Sequence, residues 1–341
     1  MPADLLDVGA AARFTARFAS TGPLDQSYLL DDLESHFSEL VREAEPLIEQ
    51  ETGFRPGVPA AAKVLSRNEW ANLNVDSMLT LMGPLLEKVE RRMASVPTAP
   101  LLRAAYRPAI GAQLGAVLGF LSQRVLGQYD ILVSHGDEVW FVGPNMVLIE
   151  KKFGFVPRDF RLWVVLHELT HRAQFEGNPW VRDHFLESIN GLLGSMDVDS
   201  RALIQRFKDA FGPSEGLPLG FRLLGPEQKE RFDRMQAFMS VIEGHGNFVM
   251  DRIAERVIPT QPRMKQTLRG GGATSGFIPK LIGKLLGLEL KKAQYLQGEA
   301  FFERVFEVRG QEGVSTCFSG PESLPTLEEV RAPDLWLART G

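Results

Sequence analysis

The stretch HELTHRAQFEG, residues 167–177, places His167 and His171 four positions apart with Glu168 between them. On an α-helix, positions i and i+4 lie one above the other on the same face. Two imidazoles so placed can reach one ion, at about 2.0–2.1 Å from each nitrogen if that ion is zinc. Glu168 is rotated by about 100° from His167. It therefore misses the ion but reaches a water held there, the position of a general base in zinc hydrolysis. With six histidines in the chain, chance would produce this pattern with an expectation of roughly 0.01.

A catalytic zinc usually takes three protein ligands and keeps one position open. No longer histidine motif supplies the third. Gln174 stands where a His-Glu-x-x-His-x-x-Gly-x-x-His pattern needs glycine, and Gly177 where it needs histidine. The third ligand must come from elsewhere, and MSVIEGHGNFVMD, residues 239–251, is the best source. Its Glu243 and His245 point about 200° apart on a helix, so only one can face the ion. Glu243 is the expected ligand, because glycines at 244 and 246 would let its helix approach the metal helix closely. His245 is the alternative ligand, or a contact to substrate or to the groups behind the ligands. Asn247, Asp251, Glu176 and Glu187 are candidates for orienting the site, and His245 and Tyr295 for steadying an oxyanion.

These groups need helices to hold them. FRLWVVLHELTHRAQF is apolar on almost every side, which reads as a buried helix. It should begin near Pro157 and Asp159, both suited to a first turn, and stop at Gly177-Asn178-Pro179. Residues 27–52 read as an amphipathic helix, 53–63 as a loop, and a second helix runs from about Asn68 with Ser66 as N-cap. Gly111, Gly115 and Gly119 repeat every four residues, marking a face where another helix backbone comes close. DILV and EVWFV, around SHGD, read as a short hairpin whose second strand ends at an edge or bulge near Pro144. Helical patterns return over 181–211, 228–257 and 279–308. A flexible segment, TLRGGGATSGFIP, separates the last two, and a polar, proline-containing tail ends the chain.

The whole is expected to be mainly α with a small β-sheet, an α+β architecture. Residues 1–100 form a helical region packed on a core of residues 101–341, as one integrated unit. The 341 residues are 44% hydrophobic and 24% charged, enough for a sizeable core. A net charge of −5 gives no basic footprint, so nucleic acid is not an expected partner. Cys317 is the only cysteine, so no disulfide forms within the chain. The most apolar stretch, residues 108–121, is shorter than the roughly 20 residues of a membrane span and reads as a core helix. The N-terminus lacks a secretory pattern, and a cytoplasmic location is expected.

Around FRLWVVLHELTHRAQFEGNPWVRDH the chain resembles the zincin-like metal-dependent hydrolases catalogued as a bacterial domain of unknown function. Members are sometimes labelled as associated with biosynthesis of a deazaflavin coenzyme. LGFLSQRVLGQYD, VWFVGPNMVLIEKKFGFVPRDFRLW, MSVIEGHGNFVMD, KKAQYLQGEAFFERV and LPTLEEVRAPDLW carry the likeness over most of residues 65–340. The resemblance implies an edge strand upstream of the metal helix, here EVWFVGPN, along which an extended peptide lies. A glutamate third ligand makes the site similar to the gluzincin type. Thermolysin-like gluzincins place an aspartate four residues after that glutamate, where this chain has Asn247.

The expected function is a zinc-dependent hydrolase of peptide or other amide bonds, with zinc held by His167, His171 and Glu243 and with Glu168 as base. The rivals are a catalytically idle scaffold of the same fold and a hydrolase of small-molecule amides. An open cleft along residues 138–146 would favour peptides, and a closed pocket around the ion would favour small amides.

Overall fold

A computed structural model describes residues 6–19, 22, 24, 27–93, 99–132, 137–195, 226–271 and 293–341. In chain order the elements are α1 (Val8–Phe18), α2 (Leu33–Thr52), β1 (Ala61–Leu65), α3 (Arg67–Met93), α4 (Ala99–Ser122), β2 (Gly127–Tyr129) and β3 (Glu138–Val142). There follow α5 (Gly143–Phe153), α6 (Pro157–Glu176), α7 (Pro179–Ser195), α8 (Pro226–Val257), α9 (Gln261–Gly271), α10 (Ala293–Thr316), α11 (Leu327–Arg331) and α12 (Pro333–Arg339). The architecture is mainly α with one small sheet, as the sequence pattern requires. Parts of the expected helices over 181–211 and 279–308, and most of the glycine-rich segment between the last two helical patterns, lie outside the described residues.

Local chemistry sets the helix ends. Ser66 and Glu69 cap α3 reciprocally: the Glu69 N–H donates to Ser66 Oγ at 3.2 Å, and the Ser66 N–H donates to Glu69 Oε2 at 2.8 Å. Pro157 opens α6 and Gly177 closes it. The tail is not an extended strap. Its two short helices bury Trp336 completely.

Three strands pair in the order β1-β3-β2, with β1 parallel and β2 antiparallel to β3. This corrects the sequence reading in three ways. Residues 61–65 form a strand, although 61–63 read as loop. The first strand of the hairpin is Gly127–Tyr129, ahead of DILV, because Asp130 accepts the Leu132 N–H at 2.7 Å and turns the chain. Finally, β3 is the central strand and not an edge. Its run Val139–Val142 is buried on both faces, and a continuous apolar run is the signature of such a strand. Pro144 sits in the first turn of α5, where no ladder donor is needed.

The sheet separates two apolar clusters. Val139 and Phe141 face the larger one, which contains α2, α6 and α8, and Phe37 stacks on Phe141 with ring centroids 4.1 Å apart. Trp140 and Val142 face the smaller one, with Trp70, Val75 and Leu118. The glycine stripe of α4 receives α1. A Cβ on Gly115 would stand 2.1 Å from the Ala11 carbonyl oxygen, and one on Gly111 2.3 Å from that of Asp7. Among the described residues no helix is long and apolar enough to cross a membrane.

The helix α6 is gripped from several sides. Leu162, Val165, Leu166 and Leu169 are buried in the larger cluster. Arg172, 1% exposed, donates to Glu45 of α2 at 3.0 Å and to the Val58 carbonyl. A cavity of about 310 Å³ beside this contact, lined by Phe54, Leu169, Arg172 and Ala173 among others, is bordered by none of the four residues His167, Glu168, His171 and Glu243.

Candidate metal centre

One turn of α6 separates His167 and His171, and α8 brings Glu243 to them. The two histidine Nε2 atoms are 3.1 Å apart. Glu243 Oε2 lies 3.9 Å from that of His167 and 3.8 Å from that of His171. The two imidazoles meet edge-on, with an interplanar angle of 83°. Glu243 and His171 are buried, while His167 keeps 20% of its side chain exposed and so marks the side open to solvent.

The glycines of α8 make the approach possible in two directions. A Cβ on Gly246 would sit 3.0 Å from His171 Cε1, so this glycine leaves room for the ligand ring. Gly244 serves a different contact: its Cβ would stand 2.3 Å from the Gly298 carbonyl carbon, so α8 and α10 touch backbone to backbone there.

Glu168 is buried against β2. Its Oε2 accepts the Tyr129 N–H at 3.2 Å, and a Cβ on Gly127 would fall 2.7 Å from its Cγ. Burial pushes its carboxyl up to about 7; Glu243 reinforces the shift, and His171 and the Tyr129 N–H oppose it. A group poised near neutrality is suited to proton transfer. Burial, with His171 opposing, also raises Glu243, and burial followed by repulsion from His171 holds His167 well below its usual value.

The other expected site residues are placed as follows. His245 does not reach the cluster. It is fully buried, its ring packs against Phe302 and Phe318, and its Nδ1 faces Gln174 Nε2 at 2.9 Å. That burial, with His171 nearby, lowers it to about 3. A substrate contact for His245 is therefore ruled out, because its ring is enclosed by side chains. Asn247 is half-buried and makes no side-chain hydrogen bond among the described residues. Tyr295 belongs to the first turn of α10, and its side chain is outside the described part. Asp251 pairs with Lys265 at 2.6 Å, and Glu176 accepts from Tyr129 Oη and pairs with Arg182 at 3.1 Å.

Three residues join the site without having been singled out for it: Gly127, Tyr129 and Gln174. The first two arrive through strand pairing, which leaves no local pattern. Gln174 had a signal, since it follows His171 by three residues and so shares its helix face.

A family model for zincin-like metallopeptidases matches residues 6–337. The chain belongs to this family. A crystal structure from Chloroflexus aurantiacus, described as a "putative hydrolase with a novel fold", is similar over 98% of each chain at 32% identity, with a TM-score of 0.76. A comparison with curated proteins gave no match.

A zincin-like family implies a metal, usually zinc, and the residues present fit one. His167, His171 and Glu243 each offer a ligand atom within 4.8 Å of the others. A tetrahedral zinc with bonds of about 2.0–2.1 Å holds its ligand atoms about 3.3–3.4 Å apart. The observed 3.1–3.9 Å brackets that spacing. Glu243, 3% exposed, has no lysine or arginine partner among the described residues. A buried carboxylate with no cationic side chain to pair it is costly unless a cation joins it.

Proposed function

We propose that this protein is a zinc-dependent hydrolase of peptide or other amide bonds. The observation that carries the reading is the position of Glu168. It is a buried carboxylate next in sequence to His167 of a two-histidine, one-glutamate cluster, and it is held by a backbone N–H with no cationic side chain committed to it among the described residues. A purely structural metal site has no use for a base there. The family's metallopeptidase description and the hydrolase description of the Chloroflexus structure support the same class.

His167, His171 and Glu243 would hold the ion, with His167 on the solvent side. When bound, the ion supplies Lewis acidity, lowering the pKa of a water and polarising the scissile carbonyl. Glu168 takes the proton of the attacking water and passes it to the leaving amine. The Tyr129 N–H and the backbone at Gly127 hold its carboxylate in place. β3 is paired on both sides and residues 139–146 are buried, so the strand read from the sequence as the edge beside the site is not one.

The test combines metal analysis with a screen of peptide and amide substrates. Glu168→Gln should retain zinc and lose turnover, while His167→Ala should lose zinc. Equal turnover by wild type and Glu168→Gln would remove Glu168 as the base, and a wild type that neither holds nor takes up zinc would end the hydrolase reading. An inactive wild type that holds zinc, and binds a partner equally well after Glu168→Gln, would establish the scaffold instead.

A further inference from the structure

Behind His171 runs a chain of hydrogen bonds with no role in the chemistry described so far. Gln174 is fully buried. Its Oε1 lies 2.9 Å from His171 Nδ1, and its Nε2 lies 2.9 Å from both the Ile242 carbonyl oxygen and His245 Nδ1. A carbonyl oxygen can only accept, so the Gln174 amide must turn its NH2 end toward Ile242. That fixes everything else. Oε1 then faces His171 and can only accept, so the His171 proton sits on Nδ1 and the lone pair on Nε2. The second Gln174 N–H points at His245 Nδ1, which must accept, so the His245 proton sits on Nε2. That Nε2 is buried without a hydrogen-bond partner among the described residues, and the His245 ring packs against Phe54, Phe302 and Phe318.

Leaving a buried N–H unpartnered is costly. The fold tolerates this at His245, where the ring's other nitrogen takes a hydrogen from Gln174. We propose that Gln174 is a positioning residue that locks His171 in its Nδ1–H tautomer and so aims the Nε2 lone pair at the metal. The Ile242 carbonyl and His245 together keep the Gln174 amide from flipping. The ion itself belongs to the hydrolase reading above, on which this inference rests; the tautomer assignment rests on the hydrogen bonds alone. The device also ties the two halves of the site together, because Gln174 is on α6 while Ile242 and His245 flank Glu243 on α8.

The first measurement needs neither substrate nor metal. In chelator-stripped, full-length protein labelled with 15N-histidine, long-range proton–nitrogen correlation spectra distinguish protonated from bare ring nitrogens. The expected pattern is Nδ1–H for His171 and Nε2–H for His245. In Gln174→Glu the oxygen facing the Ile242 carbonyl must carry a proton to donate there, while the other oxygen still accepts from His171. His171 should then keep its tautomer. Gln174→Leu removes the acceptor. His171 should then mix tautomers, and zinc affinity, read by competition with a chromophoric chelator, should fall about 10–100-fold.

A wild-type His171 protonated on Nε2 would overturn the proposal, even if the protein bound zinc and turned over substrate. So would a Gln174→Leu variant with unchanged zinc affinity and an unchanged His171 spectrum. A wild type that shows the expected tautomers but binds no zinc would instead overturn the hydrolase reading, and with it the purpose assigned here to Gln174.

Discussion

Replacing Gly127 by alanine tests how the base is held without touching a metal ligand. The added Cβ would stand 2.7 Å from Glu168 Cγ and 3.1 Å from its Cδ and Oε1. Carbon atoms in ordinary contact are about 3.5–4.0 Å apart, so the Glu168 side chain must retreat by about 1 Å. Its bond from the Tyr129 N–H, already 3.2 Å long, cannot follow such a move. A misplacement of about 1 Å at a reacting group costs on the order of 100-fold in rate, and complete loss of general-base assistance costs about 100- to 10,000-fold. The predicted kcat/KM is therefore down by at least about 100-fold, on whichever peptide or amide substrate the wild type hydrolyses. Zinc affinity should be unchanged, because the Gly127 Cβ has no contact with His167, His171 or Glu243 among its nearest neighbours. Overpacking costs roughly 1–3 kcal/mol, so the variant should still fold. A Gly127→Ala enzyme with wild-type kcat/KM would refute the claim that β2 positions Glu168. Parallel loss of zinc and activity would mean that the strand supports the ligands and not the base.

Tyr129→Phe makes the complementary case. It removes the hydroxyl that bonds Glu176 and keeps the backbone N–H that bonds Glu168. Stability should fall by about 1 kcal/mol in chemical denaturation, with kcat/KM within a few-fold of wild type; a 100-fold loss would place the hydroxyl in the chemistry. Gly244→Ala would drive a methyl into the Gly298 backbone. A loss of about 1–3 kcal/mol is expected, visible as a fall of several degrees in Tm, and an unchanged Tm would contradict the backbone contact between α8 and α10. For Glu51, burial raises the carboxyl, but hydrogen bonds and charge from Arg252 and Arg256 outweigh it, so its pKa is lowered on folding. Its contribution is therefore fully present above the unfolded value of about 4.3 and is lost as pH falls through the lower folded value. Thermal melts of Glu51→Gln should differ from wild type at pH 7 and converge with it in acid; a gap that widens in acid would reverse the sign.

What the sequence discloses and what it hides follow from the range of the interactions. His167, Glu168 and His171 are legible because their geometry is set by one helix with a known rise per turn. Glu243 is legible less directly, from two glycines that make sense only if something large lies against them; one of these faces His171 and the other faces Gly298. The stripe of Gly111, Gly115 and Gly119 announces a close helix partner but not that the partner is α1. The sheet is where local reading fails. The five residues of β1, AAKVL, carry little strand signal, and their pairing with β3 spans more than 70 residues of chain. Once β1 is paired, β3 becomes central, and the edge expected along EVWFVGPN disappears. His245 looked like a chemical group because it sits beside Glu243. The helix turns it about 200° away, into a cage of phenylalanines.

The most direct test of the account is the anomalous scattering from crystals of the purified protein supplied with zinc. A single strong zinc peak is predicted within bonding distance of His167 Nε2, His171 Nε2 and a Glu243 carboxylate oxygen, with Glu168 outside that shell. A map with no peak there, or with zinc bound only elsewhere, would contradict it.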